Sequence, residues 1–501
     1  MLGNRDSLTA KQQWDLVVIG GGITGAGVAL EAARCGQRVL LLEQRDFAWG
    51  TSSRSSKMVH GGLRYLAQGN IAMTRHSLLE REHLVRALPE LVVRADYLFP
   101  LKRGRKPGRI AMTLALWLYD RLAGIKQHRY LQVNELAKRV PGLDMQNLKG
   151  AMCYTDALTD DTRLVLRILH GACQLGAEAV NYAAVKQVTP LADGGFELSV
   201  ANYGSEKSET LSLTARQVIN ATGAWADQLD AAPARIRPLR GSHLFIDPAR
   251  LPVNDCLTVL HQDDNRPVFI FAWQGVTCVG TTDLDHDEGL HHEPRASSNE
   301  IDYLLRLVNQ QFPGLNINRD DIWATMAGVR PVISSGKGLD PSKERRDHAI
   351  WQEQGVTIVS GGKLTTFRRI ALDALNQAGL LDDESYQQQL QHPDALLPPL
   401  SAPPGVSAYL TASEQLNGEF IDWVLHHEAI INLDDLMLRR TRLGVLLPNA
   451  GKTALLALRK RIQTVLGWSD AKWDSQFQRY MELHTRYYTM PSQSVAGHDA
   501  P

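Results

Sequence analysis

Apolar residues along the first 45 positions follow two different spacings in turn. Residues 15–19 form a short, largely β-branched run, residues 25–35 are rich in small helix-compatible side chains, and residues 39–42 are a second apolar run. A strand, a helix and a second strand in that order predict a βαβ unit with parallel strands. Residues 218–221 and 356–360 are further apolar runs that end in small residues. Both read as buried strands, so one sheet draws on stretches hundreds of residues apart. The expected first domain is therefore discontinuous, built from 14–95, 150–235 and 331–378, with another domain inserted between its parts.

Residues 236–330 alternate apolar and polar positions, as at 242–246, 268–272 and 276–280. A period of two predicts a mostly antiparallel sheet with one face toward solvent or a ligand. Together with 96–149 it makes the expected second domain. Pro393, Pro398, Pro399, Pro403 and Pro404 mark a linker over 379–409. Residues 420–425 and 454–466 return to helical spacing, which predicts a helical C-terminal domain over 410–490. The tail 491–501 is expected to be disordered.

Composition changes this picture little. A chain of 501 residues is too long for one core. Lysine plus arginine and aspartate plus glutamate balance at 54 each, so no global field favours nucleic acid. Five cysteines are scattered without a CxxC pair, which argues against a disulfide framework or a zinc site and fits a reducing compartment. The first 13 residues are polar and lack the apolar centre of a secretory signal. No apolar run approaches the ~18–20 residues that span a bilayer. The chain is expected to be soluble in the cytoplasm or to lie on a membrane.

The candidate chemistry begins where the first strand meets its helix. Gly20, Gly22 and Gly25 form a GxGxxG pattern there. The order suits a dinucleotide: a tight turn, then a backbone open to a pyrophosphate, then a helix packed close to its strand. The helix N-terminus presents N–H groups to the phosphates. Glu43 closes the second strand, where an acid meets a ribose hydroxyl and disfavours a 2′-phosphate. NAD and FAD both remain open on this motif. Thr51, Ser52, Ser53, Ser55 and Ser56 follow in a hydroxyl-rich loop that either wraps a pyrophosphate or is simply solvated. Asn220-Ala221-Thr222-Gly223 ends another strand with small residues, as flavoproteins do where backbone passes close to the cofactor.

Taken in order, Gly20–Gly25, Thr51-Ser52-Ser53, His60-Gly61-Gly62-Leu63-Arg64-Tyr65-Leu66, Asn220-Ala221-Thr222-Gly223, Gly241-Ser242-His243, Gly280-Thr281-Thr282-Asp283, Gly328-Val329-Arg330-Pro331 and Gly361-Gly362-Lys363-Leu364-Thr365-Thr366 resemble the FAD-dependent glycerol-3-phosphate dehydrogenases. The likeness covers the chain to about residue 375, and Leu438-Arg439-Arg440-Thr441 resembles the family's C-terminal cap. It implies an α/β fold (α+β overall) of the glycine and D-amino-acid oxidase group, with a Rossmann-type FAD domain, an inserted antiparallel-sheet substrate domain and a helical cap. The implied reaction is oxidation of sn-glycerol 3-phosphate to dihydroxyacetone phosphate, with electrons passing to a quinone or to oxygen. No metal is implied.

By the same resemblance the FAD contacts are Gly20, Gly22, Ile23, Thr24, Gly25, Glu43, Thr51, Ser52, Ser53, Ser56, His60, Gly61, Gly62, Leu63, Ala221, Thr222, Gly223, Gly362, Lys363, Leu364 and Thr365. Arg330 and Arg346 are expected to clamp phosphate, since a guanidinium matches its oxygens in pairs. Arg345 is the neighbouring alternative. Arg64, Tyr65 and Thr366 are expected in the same pocket. His243 is the leading general base, with Lys363 or water as competitors; Lys363 also suits charge neutralisation at the flavin.

Residues 101–130 carry eight basic residues against the single acid Asp120, around an apolar stretch at 110–119 with Trp117 and Tyr119. That pattern suits a monotopic contact with the cytoplasmic face of an inner membrane, or alternatively a core helix beside a basic loop. The region between 375 and 420 is shorter than the family's cap, which leaves a homodimer open. Rival readings are an oxidase of the same fold acting on an amino or 2-hydroxy acid, and a non-catalytic flavin-binding relative.

Overall fold

The computed structural model describes residues 2–8, 13–204, 209–228, 235–336, 344, 347–391, 397–403, 406 and 408–491. Two sheets organise it. The strands Gln13–Ile19, Val39–Leu42, Glu178–Val180, Glu209–Asn220 and Val356–Gly361 run parallel in an eight-stranded sheet. The predicted runs thus meet as neighbours: Val17 pairs with Val218 and with Leu40. His348–Glu353 adds an antiparallel edge, and the hairpin Ala183–Pro190 with Phe196–Asn202 flanks the long central strand. Val17, Val18, Leu40 and Leu41 are fully buried, as parallel strands covered on both faces require.

Three helices cover one face of this sheet. Ile23–Arg34 lies against both Asp161–Gln174 and Phe367–Gln377. Its run of alanines and glycines keeps it thin, so ten of its residues are buried. Asp160 caps the second helix by accepting from the amides of Thr162 and Arg163.

The ten-stranded second sheet is mostly antiparallel. Ile236–Ile246 lies between Val276–Gly280 and Ile322–Ile333, and Pro267–Trp273 and Cys256–Leu260 extend the array. Cys256–Leu260 joins Val92–Lys102 in parallel, which in turn pairs with Leu148–Thr159. The strand Leu148–Thr159 therefore sits in this sheet, although 150–235 was expected to open a segment of the first domain.

Alternation along these strands does not leave one face to solvent, the first of the two alternatives expected for it. Leu244, Ile246, Ile270 and Val279 pack under the helix Ser298–Gln311. Phe245, Phe271 and Cys278 pack on the other side against the C-terminal helices. The polar positions that mimicked a wet face, such as Ser242 and Thr277, are buried and hydrogen-bonded instead.

The C-terminal segment is helical, with Gly418–His427, a π-helical turn Asp435–Arg440, Lys452–Leu466 and Asp470–Tyr487. Its last helix ends on the large sheet, where the Thr325 amide donates to the Tyr488 carbonyl at 2.8 Å. Within the expected linker, Asp383–Gln391 is a helix whose Tyr386 packs on the first core. The tail beyond residue 491 lies outside the described residues.

Candidate active site

A cleft of about 330 Å³ opens at the carboxyl ends of the parallel strands. That is where an open α/β sheet binds ligands, because helix N-termini and strand ends converge there. Gly20, Gly22, Ile23, Thr24, Glu43, Thr51, Ser52, Ala221, Thr222, Gly223, Gly362, Lys363 and Leu364 all line it. So do Trp225 and Pro331, and residues the sequence did not single out, among them Trp49 and Lys186. Trp49 and Trp225 face each other with ring centroids 5.6 Å apart. Trp49 lies two residues before the Thr51-Ser52-Ser53 motif and Trp225 two residues after Gly223, and that nearness was the one available signal.

The turn is built for close backbone approach. Gly20 has φ +112°, and a Cβ there would meet the Ala221 carbonyl oxygen at 2.7 Å. At Gly25 a Cβ would fall 1.9 Å from the Gly20 oxygen, so this residue packs the helix on the turn and lies behind the cleft. The amide of Ile23, at the helix N-terminus, donates to Ser52 Oγ at 3.0 Å. Glu43 accepts from the amides of Gly21 at 2.7 Å and Arg45 at 2.8 Å. Burial raises its carboxyl pKa, while these two amides pull it down. Each oxygen keeps a lone pair for a hydroxyl.

Other expected cofactor residues act one layer back. Thr365 Oγ1 accepts from the His60 amide at 3.2 Å, and the Gly61 amide donates to Asp156. Gly62, with φ +80°, starts the short helix Leu63–Ala67 that carries Arg64 and Tyr65. Burial and nearby Lys363 bring the His60 pKa down to about 4. The carbonyl of Ser53 is held by Lys57 Nζ at 2.7 Å, and Ser56 Oγ meets His243 Nε2 at 3.0 Å.

The candidate substrate residues cluster beside the cleft. Lys363 Nζ lies 4.5 Å from the Tyr65 ring centre and has no hydrogen-bond partner among the described residues. Burial lowers its pKa to about 7, against the weaker pull of Asp156 and Asp347. Thr366 Oγ1 donates to the Lys363 carbonyl at 3.4 Å.

His243 is 1% exposed, and its Nδ1 likewise lacks a partner. Burial first, then the charges of Arg330 and Lys57, hold it down to about 3, so the ring is neutral at neutral pH. Arg330, next to the cleft-lining Pro331, donates to Thr281 Oγ1 at 2.9 Å and to Asp283 at 3.1 Å. Asp283 thereby joins the site, a role the sequence did not give it. Arg345 and Arg346 lie outside the described residues. Thr51 Oγ1 donates to the Val329 carbonyl at 2.5 Å, which ties the cleft loop to the strand of Arg330.

A Cβ-free cradle, a carboxylate at the second strand end and an orphaned buried ammonium at the far side fit an anionic dinucleotide carrying a redox ring. Residues 15–368 match the family model of the FAD-dependent oxidoreductases, DAO. The chain belongs to this family and binds FAD.

It is 35% identical over 374 residues to the aerobic glycerol-3-phosphate dehydrogenase of Staphylococcus aureus (strain MRSA252), a match covering 73% of this chain and 66% of that relative. The match therefore spans just under two thirds of the relative's length. In fold it resembles the FAD-complexed glycerol-3-phosphate dehydrogenase from Bacillus halodurans, with TM-score 0.72, 23% identity, and 96% and 97% of the two chains covered. The L-alpha-glycerophosphate oxidase from Mycoplasma pneumoniae follows at TM-score 0.59 and 17% identity, over 74% of this chain and 95% of that one. Glycine oxidase from Geobacillus kaustophilus has TM-score 0.52 and 20% identity, over 74% and 94%.

Proposed function

We propose that this chain oxidises sn-glycerol 3-phosphate to dihydroxyacetone phosphate and passes the electrons to a quinone. The observation that carries this reading is the buried, unpartnered ammonium of Lys363 at the cleft, with Arg330 on an adjoining strand. Bound FAD supplies the two-electron acceptor for the hydride of the secondary alcohol. Arg330, with Arg64 and Arg346, binds the phosphate dianion. A guanidinium suits this because it donates in pairs to phosphate oxygens. Asp283 holds the Arg330 fork in place until substrate arrives.

The alcohol proton needs an acceptor whose pKa lies near the working pH. Lys363 Nζ, near 7, meets that condition in its neutral form. His243, held near 3, is a neutral ring and is the alternative acceptor to Lys363, taking the proton at Nδ1 only if a bound dianion raises its basicity. Ser56 fixes the other ring nitrogen. The likeness to the S. aureus and B. halodurans dehydrogenases supports the substrate.

Among the described residues no helix is long and apolar enough to cross a membrane. The helix Arg109–Ala123 packs one face in the core and leaves another exposed. Met112, Leu116 and Tyr119 face the core, while Ile110, Leu114 and Trp117 are 78%, 63% and 55% exposed. Spaced four and three residues apart, the exposed three form one outward stripe. Flanked by the basic residues of 101–130, that stripe lies on the cytoplasmic face of an inner membrane, where a quinone resides.

Anaerobic addition of glycerol 3-phosphate to FAD-loaded protein is expected to bleach the oxidised-flavin absorbance; glycerol at equal concentration is not. Bleaching by an amino acid or 2-hydroxy acid alone would overturn the substrate. Reoxidation by quinone against oxygen decides the acceptor.

A further inference from the structure

The loop that begins at the cleft with Thr51 and Ser52 continues as Ser53 to Lys57 into a fully buried charged cluster. One member of that cluster comes from nearly 400 residues away. Arg442, in the C-terminal helical segment, is 2% exposed and holds a left-handed backbone conformation with φ +59°. Its guanidinium donates to the Ser53 carbonyl and to the Leu438 carbonyl, both at 2.8 Å. It also donates to Thr162 Oγ1 at 2.9 Å and to Asp161 at 3.2 Å. The planar fork thus spans four oxygens on three segments, which a lysine cannot do.

Asp161 is the counterpart on the nucleotide-domain side. It accepts from Lys57 Nζ at 2.8 Å, and from the Ser55 amide and hydroxyl at 3.0 and 2.8 Å. Lys57 Nζ shares the Ser53 carbonyl with Arg442, and both cations lie over the Trp273 ring. Arg442 and Asp161 therefore hold residues 53 to 57 from outside, and Lys57 Nζ bridges Asp161 to the Ser53 carbonyl within it. Just before this stretch, Ser52 meets the helix N-terminus; within it, Ser56 meets His243.

We propose that Arg442 is a positioning residue that makes the C-terminal helical segment part of the FAD site: by holding the Ser53 carbonyl it sets Thr51 and Ser52 against the cofactor and Ser56 against His243. The role explains why an arginine, rather than an apolar side chain, is buried where the helical segment meets the loop. A buried guanidinium is costly to desolvate unless all its partners are in place, so the segment docks in one register or not at all.

The inference rests on FAD occupying the cleft. The test compares full-length Arg442→Met, Arg442→Lys and Arg479→Met with the unaltered protein. Arg479 ties two helices within the same segment, by an ion pair with Asp434, and among the described residues it has no hydrogen bond or ion pair with the loop. FAD dissociation is read from the flavin fluorescence released on dilution, and the cofactor environment from visible circular dichroism of the bound flavin.

Loss of the charge-assisted hydrogen bond to the Ser53 carbonyl is expected to weaken FAD binding about tenfold in Arg442→Met. A smaller loss and an altered flavin dichroism are expected in Arg442→Lys, which keeps the charge but not the fork. Arg479→Met is expected to lower Tm with FAD affinity and dichroism unchanged. Unchanged FAD affinity and dichroism in Arg442→Lys, or equal FAD loss in Arg479→Met, would overturn the proposal. If Arg442→Met does not fold, the lysine variant decides alone. Unaltered protein that binds no FAD would instead remove the premise, and neither result depends on the substrate.

Discussion

The ammonium of Lys363 sits 4.5 Å from the centre of the Tyr65 ring, buried beside the cleft and without a hydrogen-bond acceptor among the described residues. A cation over an aromatic face is partly stabilised, yet burial still lowers its pKa from 10.5 to about 7. In flavin-free protein the folded state therefore binds fewer protons than the unfolded chain between about pH 7 and 10.5. Stability rises with pH wherever the unfolded state holds more protons. Tm of flavin-free protein is expected to climb across that window, and Lys363→Met to flatten the climb. The same variant is expected to remove a rise of kcat/KM with pH through neutrality. A profile identical to that of the unaltered enzyme would exclude Lys363 as proton acceptor.

Arg330 is restrained by Thr281 and Asp283 rather than left mobile. Replacement by alanine is expected to raise KM for glycerol 3-phosphate by about tenfold to a hundredfold, the worth of charge-assisted hydrogen bonds to a dianion. Steady-state kinetics check this. An unchanged KM would take Arg330 out of the phosphate clamp. Asp283→Asn is expected to act in the same direction but more weakly, because it loosens the guanidinium without removing it.

The exposed stripe of Ile110, Leu114 and Trp117 makes a prediction about surfaces. Replacing all three by serine is expected to abolish sedimentation with anionic phospholipid vesicles while leaving bleaching by glycerol 3-phosphate intact. High salt is expected to weaken vesicle binding of the unaltered protein, since screening reaches the basic flanks. Equal sedimentation of both proteins would assign the stripe elsewhere.

Asp46 is the hub of a second buried network. It accepts from Arg440 at 2.6 and 2.7 Å, from Arg439 and from Asn181. The two arginines outweigh desolvation and hold its pKa below 3.8. A lowered carboxyl pKa adds stability that is present above 3.8 and lost as pH falls through the folded value. Asp46→Asn leaves two buried guanidinium groups short of charge and is expected to cost about 3 kcal/mol or more in unfolding free energy. Denaturant titration at pH 7 measures it, and a loss under 1 kcal/mol, roughly the worth of an exposed pair, would contradict the role.

Much of the fold was legible because its signals are local. The parallel strands, the glycine turn and the helix after it follow from spacing within some 30 residues, and the cleft forms where that spacing places it. Ala221 to Gly223 were readable for the same reason, small residues ending an apolar run, whereas Gly362 to Leu364 were named only through the resemblance. Burial on both faces of the large sheet was not readable, because alternation looks alike whether polar positions meet water or buried partners such as Glu300. The helix inside the supposed linker was hidden by the prolines that follow it. Arg442 gave no signal at all, since its partners at Ser53, Thr162 and Asp161 are remote in the chain.

By itself the sequence determined the chemistry the protein can hold: a phosphate-binding turn, a hydroxyl-rich loop, and the arginine, histidine and lysine of its motifs. These depend on residue type and short-range spacing, which the chain carries wherever it folds. Tertiary structure alone decided their working state. Desolvation brings Lys363 toward neutral pH and keeps His243 uncharged, Asp283 restrains Arg330, and the Arg442 guanidinium reaches the Ser53 carbonyl of the hydroxyl-rich loop. Each of those effects needs charges and low-polarity surroundings brought together from distant segments, and only the folded chain does that.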